Sequence, residues 1–555
     1  MVKHLFLAAA CLAASYTAQA QVKVFKFWVE FSDKQNSPYS VDRPLEFLSQ
    51  RALDRRAKHG IKVTEQDFPV NPKYKEGLSA AGVTVLHTSR WFNAATIRTT
   101  DSSLIDKIKA LPYVKSADLL YHRVEFEGTK KGPSQVSEYL RSAGGSNEPS
   151  NSTDFGEGFR QIDQINGVQL HKDGFQGQGM LIAVLDAGFY HAGSMKTFDK
   201  LRNEGRLWGI ADLVDFDSSV YEDDLHGMNV LSCMAAYAPG KFIGTAPKAN
   251  YWLIRTEDAN TEYPIEEANW VAGAEMADSL GADLINSSLG YTKFGDADMD
   301  HTFQSLNGKS IASRAATLCA HKGLLVCNAA GNEGDGSWKF VGVPADADSI
   351  LTVGGVDADN LHASFSSYGP TADGRIKPTI VARAAGTIVA SSKDKYYNSN
   401  GTSFASPVMC GMVACLMQAN PKATIYQVMD ALKWSASQAS NPDNILGWGI
   451  PDFKIANRIL GGDKLFDYGK SRWLEAIPAT YYNSLRLAYY SSQDQHISIV
   501  VKKGRKVLKT IERDLKKGEF MVEQLKDLPN KRKGITIEVK VGDSIEKFSL
   551  KPKKP

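Results

Sequence analysis

Cysteine is scarce in this chain of 555 residues, which holds six. Cys11 lies in a removable N-terminal stretch. Cys233, Cys319, Cys327, Cys410 and Cys415 remain, all inside apolar runs. That odd set excludes the disulfide framework of small secreted domains and reads as buried free thiols, packed as small hydrophobes. Metal-ligand spacing of Cys and His is missing as well, which argues against a zinc site. No uninterrupted apolar run after the N-terminus is long enough to span a bilayer. Charge of one sign is not in excess either. The formal net charge is +3, so bulk electrostatics point to no nucleic-acid partner. The remainder is ordinary globular composition, 43% hydrophobic and 23% charged, and a length suited to roughly two to four domains.

The first residues form a targeting segment. Lys3 supplies the positive region, Leu5 to Ala14 the apolar stretch, and Ala18-Gln19-Ala20 a small-x-small cleavage site. This pattern reads as a secretory signal peptide, residues 1–20, cut before Gln21. The expected location is extracellular or periplasmic. No cysteine at the cut provides a lipid anchor.

The most informative segment is Asn400-Gly401-Thr402-Ser403-Phe404-Ala405-Ser406-Pro407, followed by the small, apolar run Val408 to Leu416. A serine hydroxyl is almost fully protonated at neutral pH. It becomes a nucleophile when a histidine takes its proton and a carboxylate orients that histidine. Asp186 ends the apolar run Met180-Leu181-Ile182-Ala183-Val184-Leu185, a strand expected to be buried on both faces of a parallel sheet. The carboxyl end of such a strand is where open α/β sheets place their sites. His226 opens a run of small residues expected to be a helix. Asn332, in Ala329-Ala330-Gly331-Asn332-Glu333-Gly334, offers an amide from a glycine-rich bend after the strand Gly323 to Val326. An acyl-transfer site needs such a donor for its oxyanion. Singly, each residue has a plain use as turn, cap or helix start. Together and in this order they point to catalysis.

The Asp…His…Ser order, with an Asn-bearing loop before the serine, resembles the subtilisin-like serine proteases, family S8, from about Gly179 to Asp452. The resemblance implies Ser403 as nucleophile, His226 as general base and then acid, and Asp186 as its orienting partner. It places Asn332 with the Ser403 N–H in the oxyanion hole. Ser288-Leu289-Gly290 resembles the segment that pairs with substrate backbone. Gly342 falls at the floor of the main specificity pocket, where a glycine leaves room for large apolar or aromatic side chains. Two positions depart from the family pattern: Ala187 and Met228 stand where Ser or Thr is usual. No cofactor is required by this chemistry. The family often carries structural calcium, for which Asp296, Asp298 and Asp300 are the candidate ligands, at alternate positions in a loop that otherwise reads as solvated.

The expected architecture is a doubly wound parallel α/β catalytic domain, residues 159–459. It is preceded by an α+β domain at 21–125 with βαββαβ-like order, which resembles a subtilisin-type propeptide, and by a Gly/Ser/Asn/Pro-rich linker at 126–158 that holds the maturation site. In residues 460–555 the runs Ser484 to Tyr490, His496 to Lys502 and Gly534 to Val541 alternate as strands, so the region reads as an all-β sandwich, with an excess of about nine Lys and Arg over Asp and Glu. The expected function is a secreted serine endopeptidase made as an autoprocessed zymogen. Its partners are protein or peptide substrates and its own propeptide as intramolecular inhibitor, with no transmembrane anchor. The alternative is a catalytically silent protease fold acting as a secreted binding protein. A lipase or esterase is disfavoured by the chain order and by the missing Gly-x-Ser-x-Gly elbow.

Overall fold

The computed structural model describes residues 21–126, 154–439, 441–461, 472–478, 485–491, 493–516, 520–525 and 535–549. The expected signal peptide and most of the expected linker lie outside them.

The N-terminal domain runs β1 (Gln21–Phe31), α1 (Gln50–Lys58), α2 (Pro72–Ala80), β2 (Thr84–Ser89), β3 (Ala94–Thr99), α3 (Leu104–Lys109) and β4 (Val114–Phe126). Its strands form one antiparallel sheet in the order β2-β3-β1-β4. The βαββαβ expectation lacked α2. That helix begins where Asn71 accepts the Lys73 N–H and Pro72 fills the first turn.

The central domain continues with α4 (Phe159–Asp163), α5 (Val168–Lys172), β5 (Leu181–Asp186), α6 (Asp199–Asn203), β6 (Leu207–Asp212), α7 (His226–Ala235), β7 (Tyr237–Ala238), β8 (Phe242–Ile243), β9 (Asn250–Arg255), α8 (Ile265–Leu280), β10 (Leu284–Ser287), α9 (Ile311–His321), β11 (Leu325–Ala329), β12 (Leu351–Val356), β13 (Ile380–Arg383), β14 (Thr387–Ala390), β15 (Tyr396–Ser399), α10 (Thr402–Ala419), α11 (Ile425–Ser435) and α12 (Phe453–Leu460). Seven parallel strands lie in the order β13-β12-β11-β10-β5-β9-β6. One face packs on α7, α10, α11 and α12, the other on α8 and α9. The sheet is therefore doubly wound, and its strands read as apolar runs because both faces are covered. Helix α10 has the length and apolarity of a membrane span, yet 89% of it is buried in this core. The chain joins this domain earlier than the sequence suggested. Phe155 is buried, Gly156 bridges Phe242, and the Glu157 N–H reaches Lys241 O at 2.8 Å.

The N-terminal domain lies on α8. Asp278, fully buried, receives Arg55, Arg56 and Arg90. Glu275 accepts hydrogen bonds from the Ser89 hydroxyl and the Arg90 and Trp91 amides. Buried carboxylates are tolerated when ionic and hydrogen-bonding partners surround them in this way.

The C-terminal region comprises β16 (Arg472–Pro478), β17 (Leu485–Tyr490), β18 (Gln495–Lys503), β19 (Lys506–Leu515), β20 (Phe520–Leu525), β21 (Ile535–Val541) and β22 (Ser544–Ser549). They form a sheet β16-β17-β20 and a sheet β19-β18-β21-β22. The all-β expectation holds, with more strands than alternation alone suggested.

Candidate active site

Residues Leu181 to Leu185 of β5 are fully buried, and Asp186 at the strand's end is buried with them. Its Oδ1 accepts the Ala187 N–H at 2.8 Å and stands 2.7 Å from His226 Nδ1. Its Oδ2 is buried with no hydrogen-bond partner among the described residues.

His226 opens α7, and Asp224 Oδ1 accepts its N–H at 2.7 Å. The next residue must be glycine: a Cβ on Gly227 would stand 2.3 Å from Gly188 O and 2.8 Å from Asp186 Cβ. That close approach brings the ring onto the carboxylate. Burial pulls the imidazole pKa down, but the Asp186 charge and hydrogen bond, aided by Asp224, hold it above its ordinary 6.5.

Ser403 is the second residue of α10 and is nearly buried. Its backbone N–H is one of the four at a helix start that have no intrahelical acceptor. Its hydroxyl donates to Ser288 O at 3.4 Å, a long bond that a side-chain rotation breaks at little cost. Among the described residues the hydroxyl makes that bond and none to His226. Catalytic hydrogen bonds are often loose before substrate arrives. The His226 ring lies 6.0 Å from the Phe404 ring, so the histidine faces the start of the serine helix.

Thr402 ties the glycine-rich bend to the same helix start. Its N–H and hydroxyl reach Asn332 Oδ1 at 2.9 and 3.0 Å, and its hydroxyl also meets Gly331 O at 3.1 Å. This leaves the exposed Asn332 with its NH₂ end unused by that clamp. The Gly-Thr-Ser block contained Thr402, but its clamping contacts depend on the fold.

The expected substrate segment follows β10. Ser288 Oγ donates to Ser403 O at 2.8 Å, and Leu289 O accepts the Asn328 amide at 3.1 Å. Gly290 is exposed, while Tyr291 pairs with Val343. Gly342 is buried behind them; a Cβ there would meet Thr292 Cγ2 at 3.1 Å and Tyr291 O at 3.2 Å.

Asp296, Asp298 and Asp300 do not gather as a cation site. Asp296 takes His122 of the N-terminal domain at 2.8 Å and the Asp298 N–H at 3.1 Å, and Asp300 accepts the Phe294 N–H at 2.7 Å. Among the described residues no group of three or more His, Cys, Asp or Glu is placed to hold a metal. The donor set does not fit calcium. Among the described residues Cys233, Cys319, Cys327, Cys410 and Cys415 are free and buried.

Arg255 was not singled out from sequence. It ends β9 beside Asp186 in register, nearly buried, and binds Asp212 at 2.9 Å, Asp215 at 2.7 Å and Asp223 at 3.3 Å. Those carboxylates lie at both ends of the loop that delivers His226. Burial raises the Asp223 carboxyl to about 6 despite Arg255, with the neighbouring aspartates adding to the rise.

A subtilase-family model matches residues 177–449, and a model described as the peptidase S8 propeptide domain of Bacteroidota matches residues 26–137. The chain is 30% identical over 282 residues to subtilisin of Bacillus pumilus, covering 50% of this chain and 90% of that one. The chain belongs to the subtilase family. It is also 30% identical over 306 residues to serine protease AprX of Bacillus subtilis, covering 49% of this chain and 65% of AprX. It is 29% identical over 339 residues to subtilisin NAT of Bacillus subtilis subsp. natto, covering 60% and 78%. In this subtilase the N-terminal domain is a propeptide domain, and the doubly wound domain holds the peptidase region.

Proposed function

We propose that this subtilase is a secreted serine endopeptidase, made as a zymogen, that cuts peptide bonds through an acyl-enzyme. The observation that carries the reading is the 2.7 Å contact of Asp186 with His226, set before a helix that begins at Thr402-Ser403.

His226 Nε2 takes the Ser403 proton as Oγ attacks the scissile carbonyl. Asp186 fixes the tautomer with the Nδ1 proton facing it and stabilises the imidazolium. The carbonyl oxygen, now negative, is met by the Ser403 N–H and the Asn332 NH₂. His226 returns the proton to the leaving amine. Water then attacks the ester carbonyl as His226 takes its proton, and collapse of that intermediate returns a proton to Oγ. Residues Ser288 to Gly290 hold substrate backbone, and Gly342 leaves room for a large apolar side chain on the acyl side.

The propeptide domain supports intramolecular inhibition. Its last strand, β4, runs to Phe126, and its Tyr121 and His122 rings pack on Tyr263 at 4.8 and 6.1 Å. Maturation is proposed between residues 125 and 157, after removal of residues 1–20 on export. The expected test is hydrolysis of casein by the processed protein and none by Ser403→Ala. Folded, processed wild type that leaves casein intact would instead support a catalytically silent protease fold acting as a secreted binding protein.

A further inference from the structure

Like charge is concentrated at one end of the C-terminal sheet. Strands β18 and β19 meet in a tight turn, with Lys503 paired to Lys506 and Gly504 at φ +61° between them. Within Lys502-Lys503-Gly504-Arg505-Lys506-Val507-Leu508-Lys509, every residue from Lys503 onward is exposed. Lys502 is paired with Glu538. Lys503, Arg505, Lys506 and Lys509 make no ion pair with a carboxylate among the described residues. Four cations this close repel one another, so the arrangement is favourable chiefly where an anionic surface faces it.

The same tip exposes two aliphatic side chains, Val507 at 50% and Leu508 at 36%. They sit at a β-bulge, where Leu508 is the extra residue between the pairs Val501–Lys509 and Lys502–Val507, on β19, the edge strand of its sheet. This pairing of charge with aliphatic surface selects among anionic partners. Nucleic acid would use the cations and leave both aliphatics in water. Polysaccharide recognition favours stacking rings and amide side chains, and residues 502–509 contain no aromatic, Asn or Gln. A bilayer with anionic headgroups offers both parts: phosphates for the cations and the headgroup–acyl boundary for Val507 and Leu508.

We propose that the β18–β19 hairpin docks this protein on an anionic lipid surface, through Lys503, Arg505, Lys506 and Lys509 at the headgroups with Val507 and Leu508 dipping between them. The chain would lie on the membrane without crossing it.

The test is co-sedimentation of the full chain, carrying Ser403→Ala to prevent self-digestion, with two vesicle types. One is phosphatidylcholine alone; the other is equal parts phosphatidylcholine and phosphatidylglycerol. Binding to the anionic vesicles alone, weakening as salt is raised, is expected, since each cation near such a surface contributes roughly fivefold to partitioning at low salt. Arg505→Glu with Lys506→Glu should lower partitioning by more than about tenfold on that scale. Val507→Ser with Leu508→Ser should weaken it while leaving the salt dependence in place. These residues are exposed, so circular dichroism should be unchanged. Equal binding to both vesicle types, no binding, or indifference to the charge reversal would overturn the proposal. So would binding to heparin that matches the anionic vesicles and ignores the serine pair, which would mark a general anion patch.

Discussion

His226 Nδ1 stands 2.7 Å from Asp186 Oδ1, while the other oxygen of that carboxylate is buried without a partner among the described residues. Ala187 and Met228, where the family usually carries hydroxyl side chains, bring no side-chain hydroxyl to this carboxylate. Its charge is therefore compensated mainly on the His226 side.

The first prediction follows from that asymmetry. In the proposed mechanism His226 acts in its neutral form. Its pKa is raised above 6.5, so activity should be lost as pH falls through a midpoint above 6.5. Asp186→Asn removes the charge that opposes burial and should move the midpoint below 6.5. It should also lower kcat/KM by roughly 10⁴, the size of the matching loss in a chymotrypsin-type triad. A pH profile of both proteins on one peptide checks the sign; a midpoint that stays in place contradicts it.

Arg255 should matter through the loop it holds. Replacing it by Met leaves Asp212 without its buried cation and releases Asp215 and Asp223. Breaking a buried pair from one side costs about 3–5 kcal/mol. Arg255→Met should lower Tm and, at temperatures where the protein is still folded, reduce turnover more than KM. Arg255→Lys should restore part of both. Calorimetry with steady-state kinetics is the check.

Two propeptide histidines make docking acid-sensitive. His87 Nε2 lies 2.9 Å from Asn269 Oδ1, and its Nδ1 is buried without a partner among the described residues. Burial, with Lys26 nearby, lowers its pKa from 6.5 to about 4. His59, beside Gly323, is lowered to about 4 by burial and by the charges of Lys58 and Arg55. The docked state thus binds these protons less readily than the free propeptide. Docking should be insensitive to these two groups well above 6.5 and should weaken as pH falls from 6.5 to 4, in proportion to the burial that docking adds to each ring. Size-exclusion of the processed complex across that window reads this out, and His87→Gln with His59→Gln should flatten the dependence.

The acidic loop leads to a fourth expectation. Asp296 and Asp300 are committed to His122 and to backbone amides, so removal of divalent cations by a chelator should leave Tm unchanged. A clear fall in Tm would show a cation site elsewhere in the chain.

How far the sequence revealed this arrangement depended on the kind of interaction. Ser403 was legible because a glycine, a helix start and a small-residue run are local features. Asp186 was legible because a strand buried on both faces leaves a continuous apolar word. Helix α2 was missed because Gly77 interrupts it, yet that glycine is where Tyr113 packs: a Cβ there would fall 1.9 Å from the Tyr113 hydroxyl. Strand β19 was missed because most of its side chains are exposed and its sequence, Lys-Val-Leu-Lys-Thr-Ile-Glu-Arg-Asp-Leu, hardly alternates. Arg255 was hidden for a different reason. Its partners Asp212, Asp215 and Asp223 are set by tertiary placement, and no local pattern announces which carboxylates one arginine will gather.

The most direct test of the central claim is fluorophosphonate labelling of wild type beside Ser403→Ala, with intact mass followed over time. The account predicts label on wild type alone, at Ser403, and a mass that falls as the N-terminal domain is lost by a cut between residues 125 and 157. Folded, processed wild type that takes no label would contradict it.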